Sequence, residues 1–182
     1  MDASRYQADD TLRDGTPVEV RALQPGDREQ MKQALLRMSG DSIVRRFFSP
    51  RPTFSESEVA RFLKVDFVDH VALVAVVDAQ IVGGARYVTL SPGRAELACA
   101  VEDAWQGRGL GKVLLRHLGI LARAGGIREA VADVLADNAP MLKLLRGAGL
   151  PITSAREPGA MQLVVSLAGG DAAVPSPARP VP

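Results

Sequence analysis

One cysteine, Cys99, stands alone in a chain of 182 residues. No intrachain disulfide can form, and a reducing, cytoplasmic setting is expected. No charge of one sign dominates: 22 Lys and Arg stand against 21 Asp and Glu, a net +1. That excludes a broadly basic surface, so no nucleic-acid partner is expected. Long apolar runs are missing as well, and none nears the ~20 residues that cross a bilayer. The N-terminus carries Asp2, Arg5, Asp9 and Asp10, so it does not read as a signal peptide and no membrane partner is expected. Tyrosine occurs only as Tyr6 and Tyr87, which confines phenolic acid chemistry to two positions.

What is present is an ordinary globular composition, 47% apolar and 24% charged, long enough for one well-filled core. Residues 1–12 read as a flexible lead-in and 13–168 as one domain. The tail, 169–182, holds four of the prolines and reads as disordered.

Within the domain, 17–23 alternates as a strand. Pro25-Gly26-Asp27 opens a helix striped with Met31, Ala34, Leu35 and Met38, the i, i+3, i+4, i+7 spacing. A second helix is expected over 41–48, stopping ahead of Ser49-Pro50. Ser55 and Glu58 form a capping box for a third, reaching about residue 65. His70–Val77 is a valine-rich apolar run, the pattern of a buried central strand. Asp78-Ala79-Gln80 turns into a partner strand over 81–90, where Gly83-Gly84 marks a bulge or a close approach. Ser91-Pro92-Gly93 turns again into Arg94–Val101. A helix over 109–124 crosses to a strand at Glu129–Leu135, and a further helix and a last strand or hairpin follow. The predicted fold is α+β (mixed α/β): a central, mostly antiparallel sheet of six to seven strands flanked by helices.

The densest signal is Gln106-Gly107-Arg108-Gly109-Leu110-Gly111-Lys112, at a strand-to-helix turn. Glycines let backbone approach a ligand, and a helix start offers unpaired N–H groups. Together they make an anion site, most often for phosphate. A nucleotide P-loop needs G-x-x-x-x-G-K-[ST]; Gly107 to Gly111 is one residue short, and Val113 stands where a hydroxyl is required. The dinucleotide fingerprint G-x-G-x-x-G misplaces the third glycine. The coenzyme A pyrophosphate loop, Q/R-x-x-G-x-G/A, is matched by Gln106, Gly109 and Gly111. The N–H groups from Gly107 through Leu110 to Lys112 are expected to take the pyrophosphate, with Arg108 and Lys112 adding charge.

With that loop in place, the chain resembles the GNAT superfamily of N-acetyltransferases. Asn138-Ala139-Pro140-Met141, with Gly149-Leu150, is similar to the family's second conserved segment. Asp14-Gly15-Thr16-Pro17-Val18, Arg45-Arg46-Phe47-Phe48-Ser49-Pro50 and Ala104-Trp105-Gln106-Gly107-Arg108-Gly109 resemble the acetyltransferase domain of bacterial Pat-type protein lysine acetyltransferases. The likeness spans residues 13–167. It implies a GNAT-type sheet, acetyl-CoA as co-substrate and no metal. It also implies that Asn138 and Met141 border the cofactor, and that the backbone around Ala100 and Val101 holds the pantetheine amides and polarises the thioester carbonyl. The acceptor implied is a primary amine, with a protein lysine foremost. The monomer and the homodimer both stay open.

Many relatives protonate the leaving thiolate with a tyrosine after the asparagine; the corresponding residue here is Leu145. A general-base mechanism is therefore favoured. On strand 94–101, alternation puts Glu96, Ala98 and Ala100 on one face and Leu97, Cys99 and Val101 on the other. The small residues beside Glu96 leave room for a substrate, and Pat-type relatives use a glutamate on this strand, so Glu96 is the catalytic candidate. Cys99 and His117 read as packing residues; Glu102 and Asp103, second as base candidates, read as residues that shape the turn or cap the helix. In the helical block that walls the acceptor site of relatives, Phe47 and Phe48 read as core. Either Arg45 or Arg46 is a candidate to meet an acidic group on the acceptor. Acetylation of a small amine and a non-catalytic coenzyme A sensor stand as alternatives.

Overall fold

The computed structural model describes residues 1–50, 53–157 and 159–168; the tail expected over 169–182 lies outside them. Eight strands form one sheet in the order β1-β2-β3-β4-β5-β6-β8-β7. They are β1 (Gln7–Thr11), β2 (Pro17–Ala22), β3 (His70–Val77), β4 (Gln80–Ser91), β5 (Arg94–Val101), β6 (Glu129–Leu135), β7 (Ile152–Glu157) and β8 (Ala160–Ser166). Every pairing is antiparallel except β5 with β6. The sheet thus has the predicted character with one strand more than the six to seven expected.

The extra strand is β1, in the segment read as a flexible lead-in. It pairs with β2 from Gln7↔Arg21 to Thr11↔Pro17. Its sequence, Gln-Ala-Asp-Asp-Thr, is polar because it is an edge strand, and edges carry charge to discourage further pairing. What holds it is tertiary. Tyr6 Oη donates to His117 Nδ1 at 2.6 Å, His117 Nε2 donates to Asp10 at 3.0 Å, and Arg116 pairs with Asp10. His117 is fully buried, so the residue read as boundary packing is the floor of a buried polar relay.

Helices cover both faces. On one side lie α1 (Arg28–Leu36), α2 (Gly40–Phe47) and α3 (Glu56–Leu63). Met31, Ala34 and Leu35 of α1 pack with Phe62 of α3 against Leu23, Ala72, Val74 and Ile81. The Ser55–Glu58 capping box at the start of α3 forms as expected, with Ser55 N donating to Glu58 at 2.9 Å. On the other side α4 (Leu110–Ala124) buries Leu110, Val113, Leu114, Leu118 and Leu121. These five side chains alone withdraw on the order of 10 kcal/mol of apolar surface from water, at about 2 kcal/mol each. The remaining helix, α5 (Ala139–Arg146), follows β6.

Two details of the sheet position the site. Between β3 and β4 the register slips, Ala75 facing Gly83 but Val76 facing Ile81, so Val82 bulges beside the glycine pair. A Cβ on Gly83 would lie 3.0 Å from Ala100 O, and one on Gly84 3.1 Å from Leu73 O; β4 needs both glycines to pass this close to its neighbours. The second detail is the β5–β6 pairing. It runs from Arg94↔Glu129 to Glu96↔Val131, while β5 continues to Val101. Past Glu96 the two strands part.

Candidate active site

A cavity of about 810 Å³ fills the parting. The stretch of β5 that runs on past its pairing with β6 forms one wall, with Glu96, Ala100 and Val101 among the lining residues. The glycine loop and the first turn of α4 form a second wall through Gln106, Gly107, Gly109, Leu110, Gly111 and Lys112. Asn138 and Met141 of the β6–α5 junction form a third. Eleven of the twelve residues singled out from sequence therefore lie around one space.

The loop is shaped for an anion. Gly107 and Gly109 have φ of +73° and +96°, a region that side chains rarely adopt. Gly109 is the N-cap of α4 and no side chain caps the helix, so the N–H groups of Leu110, Gly111 and Lys112 have no intrahelical partner. Arg13, Lys112 and Lys143 line the cavity at this end. Hydrogen bonds from such groups to a charged partner contribute about 1.5–3 kcal/mol each, and the helix dipole about 0.3–1 kcal/mol more.

Arg108 departs from the expectation that it adds charge to the phosphates. It is not among the lining residues. Its Nε donates to Asp14 at 2.5 Å, its Nη2 donates to Thr16 Oγ1 at 2.8 Å, and its guanidinium lies 4.2 Å over the Trp105 ring. The same arginine holds the Asp14 carboxyl down at about 2. The loop is thus clamped to the β1–β2 turn, and the Arg108 charge is already engaged there.

Gln106 and Asn138 line the cavity but also have structural partners. Gln106 Nε2 donates to Val101 O and to Ser42 Oγ, each at 3.0 Å. Asn138 is buried and caps α5, its Oδ1 accepting from Met141 N at 3.2 Å. Asp103 accepts from Ser39 N, Ser39 Oγ and Ser42 Oγ at 2.9, 2.6 and 2.9 Å. The turn after β5 is thereby tied to the start of α2. Asp103 does shape that turn, and it does so by holding Ser39, the N-cap of α2, which lies more than 60 residues earlier.

Glu96 is exposed to solvent at the last β5–β6 pair. Arg46 stands within electrostatic reach of it. Cys99, on the opposite face, is only partly shielded, yet the apolar wall around its sulfur pushes the thiol up to about 12. A thiol held there carries almost no thiolate at neutral pH. Leu145, in the tyrosine position, is buried in the core. Neither Tyr6 nor Tyr87 lines the cleft. Phe47 packs with Phe54 and Phe62, ring centroids 5.0 and 5.6 Å away. Phe48, read as core, is instead exposed in the left-handed cap of α2.

Sequence reasoning missed several lining residues: Arg13, Ser42, Lys143, Leu144 and Gly147. Pro140, Leu144 and Gly147 recur at i, i+4, i+7, the spacing of one helix face, and that was the legible signal. Arg13 had none, since it reaches the loop only through the fold, its N donating to Arg108 O at 3.2 Å.

Comparison with known proteins gives the family. The Acetyltransferase (GNAT) family matches residues 41–150. Acetyltransferase PA5475 of Pseudomonas aeruginosa is 33% identical over 140 residues, covering 74% of this chain and 75% of that protein. Acetyltransferase Pat of Mycolicibacterium smegmatis is 33% identical over 139 residues, but the match spans only 41% of its length. The crystal structure of the GNAT domain of S. lividans PAT superposes with a TM-score of 0.83 at 36% identity, covering 88% of this chain and 96% of that one. A Salmonella typhimurium structure, yncA with its cofactor acetyl-CoA, shares the fold at 19% identity and a TM-score of 0.67, over 87% of this chain and 97% of that one. The chain therefore belongs to the GNAT family, and is an N-acetyltransferase that draws its acetyl group from acetyl-CoA.

Proposed function

We propose that Glu96 is the general base for direct attack of a primary amine on the acetyl-CoA thioester, and that the amine is a protein lysine. The observation that carries this reading is the place of Glu96: on the wall of the cavity that also holds the glycine loop, where β5 leaves β6. A free lysine has a pKa of about 10.4, so its ammonium must lose a proton before it attacks. Glu96 takes that proton directly or through one water. The nitrogen adds to the thioester carbonyl, whose oxygen gains charge and is met by backbone N–H groups around Ala100 and Val101. The tetrahedral intermediate then breaks its C–S bond. Coenzyme A leaves as thiolate, a tolerable leaving group, which suits a site with leucine at the tyrosine position; the second proton on the nitrogen passes to that thiolate or to water, leaving the neutral amide. Cys99 takes no part, because a ping-pong route needs a thiolate that its surroundings suppress. The lysine acceptor is supported by the Pat-type resemblance of the 14–18, 45–50 and 104–109 segments.

Glu96→Gln is expected to lower turnover about 10²–10⁴-fold while acetyl-CoA affinity changes less than twofold. Unchanged turnover removes Glu96 from the mechanism. Free-thiol release across lysine-bearing proteins, peptides and small amines tests the acceptor. A protein or peptide should lead the panel, and a small amine leading it by tenfold replaces the lysine reading.

A further inference from the structure

We propose that Arg46 and Arg86 form a carboxylate-binding subsite on the acceptor side of the cleft, so that the preferred amine or acyl group carries a carboxylate. This rests on the cleft being the acetyl-transfer site.

The subsite lies on the Glu96 face of the sheet. There the β4–β5 register sets Arg86 opposite Ala98 and Gly84 opposite Ala100, so small residues leave open space beside an arginine. A second cavity, about 100 Å³, occupies that space, and both arginines line it. Arg46, Phe47 and Ala100 also line the main cleft, so the small cavity shares walls with the large one at the strand position expected to hold the thioester.

The direct contacts of both guanidiniums are to neutral groups, and Glu96 acts on Arg46 without a salt bridge. Arg86 donates to Phe62 O at 3.3 Å, meets His70 Nε2 at 3.4 Å and lies 5.3 Å over the Phe62 ring. Arg46 lies 4.9 Å over the Phe47 ring. Among the described residues, neither forms a salt bridge. Glu102, which lines the small cavity, is held by Arg37 at 3.0 Å. Burial, and then the like charge of Arg46, brings Arg86 down to about 10. A guanidinium does not shed its proton in proteins, so the repulsion between the two arginines persists until an anion bridges them. A carboxylate fits the arginine fork in two hydrogen bonds. A phosphate would bring two charges into a small space walled by Met31, Leu35, Phe47 and Phe62, where desolvation opposes it.

The carboxylate has two sources, the free end of a dicarboxylic acyl group on coenzyme A or an acidic group on the acceptor. Isothermal calorimetry separates them without needing turnover. One arm compares succinyl-CoA with acetyl-CoA; the other compares lysine with lysinamide on protein saturated with coenzyme A. A carboxylate preference of tenfold or more is expected in one arm, falling below threefold in Arg46→Gln and Arg86→Gln. A wild-type preference below twofold in both arms overturns the subsite, whether or not the variants fold. So does a preference that survives both substitutions. Preference in binding with no thiol release from any amine supports the subsite and counts against the proposed transfer reaction.

Discussion

Gly111 turns its bare Cα toward Leu144: a Cβ built there would lie 2.9 Å from Leu144 Cδ2. The two residues face each other across the cavity wall where α4 meets α5. Gly111→Ala would meet the free end of a leucine and push it rather than break backbone. Leu144 lines the cleft, so the displaced side chain would narrow the channel. We expect the acetyl-CoA KM to rise five- to twentyfold while Tm falls by less than about 4 °C, the shift of roughly 1 kcal/mol in a chain of this size. Steady-state kinetics and a thermal melt check the pair.

Gln106 gives a second prediction through its two acceptors, Val101 O and Ser42 Oγ. Gln106→Glu replaces a donor by a carboxylate that faces a carbonyl and sits beside the phosphate loop. It should lower kcat/KM for acetyl-CoA more than Gln106→Ala does, because truncation only removes the bond whereas the acid repels both carbonyl and phosphate. Equal losses in the two variants would show that the amide has no positional role.

Arg108 tests the clamp. Arg108→Ala removes the bonds to Asp14 and Thr16 and the stacking on Trp105. The stacking contributes about 0.5–1 kcal/mol, so Tm is expected to fall by a few degrees with the acetyl-CoA KM moving less than threefold. A tenfold rise in KM with an unchanged melt would return Arg108 to the phosphates.

His117 sets a pH dependence. Burial, and then the charge of Arg116, holds its imidazole down to about 4, whereas the unfolded chain binds a proton near 6.5. The native state keeps a neutral ring, with Tyr6 donating to Nδ1 and Nε2 donating to Asp10. Stability from this residue is therefore complete above pH 6.5. It is lost as pH falls toward 4, by up to roughly 3 kcal/mol. Urea midpoints from pH 7.5 to 4 should decline in the wild type and lose that part of the slope in His117→Gln. Parallel slopes would show that His117 is not the titrating group.

How much of this was legible depended on the range of the contact involved. The β3, β5 and β6 boundaries and the α4 stripe followed from apolar periodicity, because each buries a face whose spacing is written in adjacent residues. The glycine loop was legible for a similar reason: backbone geometry at Gly107 and Gly109 is a local demand. β1 was missed because its five residues carry no apolar signal, and its anchors, His117 and Arg116, lie more than 100 positions away. The partners of Arg108 were hidden for the same reason. Beside glycines and a helix start it reads as a phosphate ligand, and the approach of Asp14, 94 positions earlier, has no local signal. Arg46 reads as a candidate for an acidic group on the acceptor, but nothing in the sequence joins it to Arg86; the packing of α2 on the sheet brings the two to one space.

The parting of β5 from β6 after three paired positions has a consequence for how the molecule tells its co-substrate from other phosphates. Five residues of β5 run on beyond the last pair, with one edge turned toward the cavity. That edge alternates donor and acceptor like any strand edge, and pantetheine, with two amides in sequence, alternates in the same way. With the pantetheine placed at Ala100 and Val101 as proposed, the coenzyme would be matched along its length as a surrogate strand rather than at one end. A nucleotide offers the pyrophosphate but no such ribbon, so the missing pairing would itself favour the coenzyme.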